Sequence, residues 1–315
     1  MSREEDASRW TVVVAVVGYS LCSSTLLLAN KLALAHLPLP SVVSFVQIVS
    51  STAIVMLLQL SGGAKVGPFS WGAFRAYGLY ALVFVFAILT NMQALSQANV
   101  ETIIVFRACS PIAVAVVEWF FMDRALPSVR SMLSLLGIVA GAVVYCLSDS
   151  QFKLNGMAAY SWAVAYFFFI VIEMTYGKAV TSSVKMESVW GPVLWQNLLA
   201  TLPMFLLGHA NGDFDGIGTK VVGLSMSGIL VLLFSCVAGT LIGYTGWLCR
   251  GMVSATTFTL VGVVNKFLTV LLNVAVWDKH SSPEGLAAVC ACIIAGSFYQ
   301  QAPRRDDKTK TTKRS

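Results

Sequence analysis

Charge is scarce in this sequence. Only 11% of its 315 residues are Asp, Glu, Lys or Arg, while 57% are hydrophobic. A soluble domain carries about 25% charged residues, because its surface faces water. This chain cannot cover such a surface with its ionic groups, so lipid must be its main solvent. Histidine is scarcer still. His36, His209 and His280 are the only three, and each falls at the end of an apolar run. No His-Glu-x-x-His, paired-aspartate or nucleophile motif appears, which argues against an enzyme. The seven cysteines (22, 109, 146, 236, 249, 290 and 292) lie within or at the ends of apolar runs, without zinc-like spacing. They read as small packing residues. No Asn-x-Ser/Thr sequon occurs, so glycosylation marks no side of the membrane. No catalytic residue, metal or cofactor is expected.

What the chain has is apolar length. A hydrocarbon core about 30 Å thick needs roughly 20 apolar residues per helix. Runs at 11–29, 41–60, 77–96, 101–121, 130–147, 157–177, 189–208, 224–245, 255–276 and 284–300 approach or meet that length. They predict an all-α integral membrane protein with ten transmembrane helices. Residues 1–10 would be a cytosolic N-terminus, 11–150 and 155–300 two sets of five helices, and 301–315 a basic cytosolic tail. Acidic residues before the first span give it the form of a signal-anchor helix, unlike a cleaved signal or a transit peptide.

The basic residues predict the orientation. With ten spans, one side carries Arg3, Arg9, Lys65, Arg75, Arg124, Arg130, Lys178, Lys185, Arg250 and the tail cations. The other carries only Lys153, Lys220 and Lys279. The positive-inside rule assigns the first side to the cytosol, with both termini. The net charge of +6 comes mostly from the tail. A basic tail beside a membrane meets anionic lipid, so no nucleic-acid partner is expected.

Carriers are often built from inverted repeats. Residues 100–145 lie on 255–300 without a gap. Asp123-Arg124 then falls on Asp278-Lys279, Thr102 on Thr257, and Ile138, Ala140 and Gly141 on Ile293, Ala295 and Gly296. Each repeat would hold five helices. Five is odd, so the second repeat must insert upside down relative to the first, an inverted 5+5 repeat.

A charge at bilayer depth costs about 2.5–3.5 kcal/mol on insertion scales, and those that persist usually face a cavity. The charged candidates are Lys31, Arg107, Glu118, Glu173 and Lys266. The neutral ones are Gln47, Asn91, Gln93, Gln196, Asn197 and Asn273. Arg107 and Lys266 occupy near-equivalent places in the two repeats, and a cation from each would suit phosphate. Ion pairing of Arg107 with Glu118, or of Lys266 with Glu173, is the competing reading. Lys31 is placed to snorkel to the interface. Glu118 and Glu173 read either as interhelical pairing groups or as proton-linked groups. Asn91 and Asn273 read as interhelical hydrogen-bond donors and acceptors. Trp195-Gln196-Asn197 sets a ring beside two amides, which suits a planar base and equally suits interfacial decoration. Gly262, Asn265 and Lys266 put close backbone approach, an amide and a charge on one short stretch.

These residues carry a resemblance. Ser254–Pro283, Glu101–Ile112, Tyr160–Phe168 and the closing Tyr299-Gln300-Gln301 resemble nucleotide-sugar transporters of the drug/metabolite transporter superfamily, most of all the Golgi GDP-sugar (GDP-mannose type) transporters of plants and fungi. Gly262-Val263-Val264-Asn265-Lys266 looks like that family's Gly-Ala-Leu-Asn-Lys motif, with its middle pair changed. Leu194-Trp195-Gln196-Asn197 stands where the family has Phe-Tyr-Asn-Asn and keeps the final Asn197. Phe258 stands where a tyrosine is frequent.

The resemblance implies ten helices around a central pocket open to alternating sides, and exchange of cytosolic GDP-mannose, GDP-fucose or GDP-galactose for lumenal GMP. It implies Trp195, Gln196 and Asn197 at the base, Phe258, Gly262 and Asn265 toward ribose or sugar, and Arg107 with Lys266 at phosphate. The partners are then the nucleotide-sugar substrate, a nucleoside monophosphate counter-substrate and membrane lipid, with room for a homodimer. A UDP-sugar or triose-phosphate translocator of the same superfamily is the alternative. Phe267 after Lys266, where plastid translocators carry arginine, lowers the second of these.

Overall fold

The computed structural model describes residues 9–97, 100–148, 160–277 and 283–305. Their secondary structure is helical. The elements are α1 (Arg9–His36), α2 (Pro40–Leu60), α3 (Trp71–Gln97), α4 (Val100–Phe121), α5 (Val129–Ser148), α6 (Tyr160–Ser183), α7 (Trp190–Ala210), α8 (Ile217–Val222), α9 (Met226–Met252), α10 (Ala255–Trp277) and α11 (Pro283–Ser297). No strand occurs among the described residues; Arg124 and Arg304 form one isolated bridge.

Ten of these helices run 15 residues or more, and α8 is a six-residue piece. Five are long and apolar enough to cross a bilayer: those at Trp10–His36, Pro40–Leu60, Trp71–Asn91, Ser161–Ser183 and Met226–Met252. Their outer faces are apolar. Leu60 is 84% exposed, Trp10 77% and Met226 71%, which water would oppose and lipid accepts. Asp278 and Lys279, one half of the aligned acidic–basic pair, lie outside the described residues, as do Lys153, His280 and the tail cations beyond Arg305.

The chain forms two compact units. One comprises Met1–Leu89 and Val180–Met252, the other Thr90–Ala179 and Val253–Ser315. Each takes helices from both halves of the sequence.

In the first unit α1 packs on α9, and α2 on α7 and α9. Apolar side chains are no drier in a neighbouring helix than in lipid, so polar contacts and close packing hold such helices together. Gln47 of α2 supplies two of these contacts. Its amide donates to Asn30 Oδ1 on α1 at 2.7 Å and to Ser235 Oγ on α9 at 3.0 Å. Ser51 and Thr240 bond at 2.8 Å one turn further on. Ile48, Ala81, Val85, Ala200 and Met204 form the apolar core beside them.

In the second unit α4 packs on α10 and α5, α11 on α5 and α10. Leu135, Ile138, Ala142, Val263, Phe267, Val289 and Cys292 are its core. The small residues aligned in the repeat lie at its helix crossings. A Cβ on Gly141 would stand 2.5 Å from Cys292 Sγ and 3.2 Å from the Ala288 carbonyl, and one on Gly137 would stand 3.2 Å from Ala295 Cβ. No side chain fits at Gly141 without moving α11, so this glycine sets the closest approach of α5 and α11.

Candidate substrate site

Arg107 lies on α4, buried to 8% exposure. The helix is altered at this point. Pro111 sits four residues on and has no N–H, so the Arg107 carbonyl loses its ladder donor. The Ser110 hydroxyl replaces it, donating to that carbonyl at 2.5 Å. The Arg107 guanidinium donates to the Tyr166 hydroxyl on α6. A cation is thus held at a weakened turn of an apolar helix, an arrangement suited to binding an anion.

Three of the other expected residues stand on α10 near Arg107's unit core. Phe258, Gly262 and Asn265 follow one another at spacings of four and three, so they share one helix face. Phe258 is 3% exposed and Asn265 1%. Lys266 belongs to α10 by its backbone; its side chain lies outside the described residues.

The start of α10 is held by a carboxylate from α4. Glu118 Oε1 accepts the Ala255 N–H at 3.0 Å, and Oε2 accepts the Thr256 N–H at 2.9 Å and its hydroxyl. The first N–H groups of a helix have no partners within it, and its N-terminus carries partial positive charge. Glu118 satisfies both needs. Its remaining capacity goes to Arg124 Nε at 3.3 Å. Arg124 also donates to the Ala302 carbonyl at 2.9 Å. Glu118 is therefore an interhelical pairing group, committed to Arg124 and α10. Glu173, on α6, is buried.

In the first unit, Trp195, Gln196 and Asn197 are consecutive buried residues of α7. Consecutive helical residues point in directions about 100° apart, and the three have different surroundings. The Trp195 ring joins Phe69 and Phe74, with centroids at 5.6 and 6.5 Å; its Nε1 is buried and has no hydrogen-bond partner among the described residues. Asn197 turns its amide nitrogen back to the Val193 carbonyl at 2.8 Å. Gln196 Oε1 accepts from Trp247 Nε1 on α9 at 2.6 Å.

Trp247 belongs to a cluster that the sequence reading missed. Tyr80 and Tyr77 of α3 meet its ring edge-on, at 5.0 and 5.6 Å. The Arg250 guanidinium lies 5.1 Å from the Trp247 centroid and 5.5 Å from that of Tyr80, and donates to the Tyr80 hydroxyl at 2.9 Å. Arg250, Arg124 and Lys178 belong to the cations that the sequence places on one side of the membrane. They are 4%, 5% and 3% exposed, so they are internal groups of the two units. The others on described loops and helix ends, such as Lys65, Arg75, Arg130 and Lys185, are exposed. Position near a span end does not decide the environment, because a long cationic side chain can turn inward to an aromatic face or a carboxylate as easily as outward. Lys31, expected to snorkel, is exposed on α1.

The model of the triose-phosphate transporter family matches residues 11–300. The chain belongs to this family. Its relatives span nearly all of it. GDP-fucose transporter 1 of Arabidopsis thaliana is 40% identical over 97% of this chain and 90% of that protein. A GDP-mannose transporter of the same plant is 35% identical over 90% of this chain and 77% of that one. A UDP-galactose/UDP-glucose transporter, also of Arabidopsis thaliana, is similar at 22% identity over 96% of this chain and 93% of its own length. A crystal structure superimposes with a TM-score of 0.67 at 17% identity, covering 92% of this chain and 97% of the other. That likeness shows the shared fold. Family membership thus agrees with a membrane transporter read from scarce charge and buried cations.

Proposed function

We propose that this protein carries GDP-sugar across the Golgi membrane in exchange for GMP, by alternating access. The observation that carries the reading is end-to-end similarity, at 40% and 35% identity, to proteins named as GDP-fucose and GDP-mannose transporters. The UDP-sugar transporter stands well below them at 22%.

The architecture that goes with this function is an inverted 5+5 repeat of ten spans, with both termini cytosolic. Pairing of α4 with α10 and of α5 with α11 supports it, since those are the helices the repeat exchanges. Arg107 and Lys266 neutralise phosphate. Trp195, Gln196 and Asn197 hold the base, and Phe258, Gly262 and Asn265 meet ribose or sugar. Exchange follows when an empty cationic site re-orients slowly and a bound anion offsets its charge.

Reconstituted protein loaded with internal GMP should take up GDP-sugar faster than empty vesicles do. Uptake indifferent to internal GMP would remove the exchange mechanism. A preference for UDP-sugars in the same vesicles would replace the substrate class. Lys266→Ala should abolish uptake in protein that elutes and melts like wild type; transport at the normal rate would sink the assignment of phosphate to Lys266.

A further inference from the structure

We infer that Trp247 fixes the hydrogen-bonding sense of Gln196, so that α7 offers the base a donor and selects bases with an oxo group over those with an amino group. This rests on the reading above that Gln196 meets the base.

An indole N–H can only donate. Whatever sits 2.6 Å from Trp247 Nε1 must be an acceptor, so the Gln196 oxygen faces Trp247 and its NH2 points away. The assignment follows from chemistry and does not depend on telling an amide oxygen from a nitrogen. A free glutamine could turn its amide over and offer either a donor or an acceptor. This one cannot without breaking the bond to Trp247.

Trp247 is itself packed on several sides. It is 5% exposed, with Tyr77 and Tyr80 edge-on and Arg250 over its face. Rotating the indole would break those ring contacts.

Gln196 is 6% exposed, and among the described residues nothing accepts a hydrogen bond from its amide nitrogen. That NH2 is available to an acceptor on a ligand, and a donor left unpaired once a ligand has displaced water costs free energy. Guanine O6 and uracil O4 are acceptors. Adenine and cytosine carry amino groups there, and two donors meeting in a dry site repel. A site built to hydrogen-bond one partner rejects the analogue that leaves its buried group unpaired far better than an apolar pocket rejects a change of shape. The locked amide is a device of this kind, and Trp247 is its positioning residue.

The test is binding of nucleoside monophosphates to the purified full chain in detergent, read by ligand-induced melting and competition. In wild type, inosine monophosphate, which keeps the 6-oxo group, should bind at least about tenfold more tightly than AMP, the worth of one hydrogen bond. Equal binding of the two overturns the inference without any variant. Trp247→Phe keeps a ring and removes the donor. Its preference for GMP over AMP should fall about tenfold, partly because AMP binds better once the amide can turn. Unchanged preference overturns the inference. In a Gln196→Leu background, adding Trp247→Phe should change the preference no further; a second tenfold fall would show that Trp247 acts by another route and also overturn it.

The two levels of the reading fail differently. If wild type binds neither GMP nor a GDP-sugar, the proposed function is wrong. If it binds both and ignores the 6-position, the function stands and the lock is wrong.

Discussion

Two buried arginines, one in each unit, are stabilised by opposite means. Arg124 faces a carboxylate, Glu118 at 3.3 Å, which also caps α10. Arg250 lies over two aromatic faces, Trp247 at 5.1 Å and Tyr80 at 5.5 Å, and donates to a phenol. The first arrangement is a neutral pair with each member dependent on the other. The second surrounds the guanidinium with ring quadrupoles and a phenol oxygen. The contrast separates a scaffold pair from a cluster that adjoins the proposed base site. Glu118–Arg124 joins α4, α10 and the segment after α11. The Arg250 cluster holds Trp247, and through it Gln196, in one orientation while keeping a cation nearby. Arg107 resembles the second case, with its guanidinium on the Tyr166 hydroxyl.

The largest effect should come from cutting the first pair on one side. Glu118→Ala leaves Arg124 buried without its partner and strips the cap from α10. Breaking a buried pair in this way costs about 3–5 kcal/mol, so detergent-solubilised protein should melt well below wild type or fail to assemble. Replacing both, Glu118→Leu with Arg124→Met, should recover a large part of that loss. A double variant as unstable as Glu118→Ala would mean that the cap, and not the pair, carries the energy.

Next comes the scaffold that the pair closes. Gly141→Leu puts a side chain where Cys292 Sγ already stands 2.5 Å from a Cβ. Overpacking of this kind costs about 1–3 kcal/mol. Cys292→Ala, which makes room, should return part of it. A Gly141→Leu protein as stable as wild type would break the claim that this glycine sets the spacing of α5 and α11.

The second arginine should be milder. Arg250→Met removes the cation and its bond to Tyr80 while keeping length. A desolvated cation–π contact is worth about 2 kcal/mol, and removing the charge also relieves its burial cost, so the net loss of stability should be about 1 kcal/mol. Nucleotide binding should weaken more than stability does, because Trp247 loses one of its supports. Equal stability losses for Arg250→Met and Glu118→Ala would erase the distinction between the two sites.

Much of the scaffold was legible in the sequence, for simple reasons. Apolar length predicts spans, because the bilayer fixes the length. Gly141 and Gly296 stand at aligned positions of the expected repeat, and both lie at close helix contacts, where little else fits. The proposed site is legible only in part. Arg107, Gln196 and Asn265 stood out as polar residues within apolar runs. Trp247, Tyr80 and Tyr166 did not, because aromatic residues are ordinary in membrane helices and nothing local tells a structural ring from one that holds a functional side chain. Arg250 was hidden by position. It sits near a helix end, where position alone does not say whether it faces water or the interior, and the rings of α3 and α9 together show that it turns inward. Pairing between helices distant in sequence decides such cases, and a single sequence does not record it.

The smallest effect concerns Arg107 and the turn that carries it. Pro111 leaves the Arg107 carbonyl without a ladder donor, and Ser110 supplies one at 2.5 Å. Ser110 is fully buried, so Ser110→Ala should leave that carbonyl unsatisfied and cost about 1 kcal/mol. Pro111→Ala should restore the missing N–H and make the serine redundant, so the double variant should be as stable as wild type or more so. Its transport is the informative measurement. If the interrupted ladder only tolerates the proline, Ser110→Ala with Pro111→Ala will carry GDP-sugar normally. If the open turn is what lets Arg107 follow the phosphate between the two faces, the same variant will be stable and slow. Uptake at a reduced rate with unchanged nucleotide binding would then place the proline in the transport step. A binding loss equal to the transport loss would place it only in the geometry of Arg107.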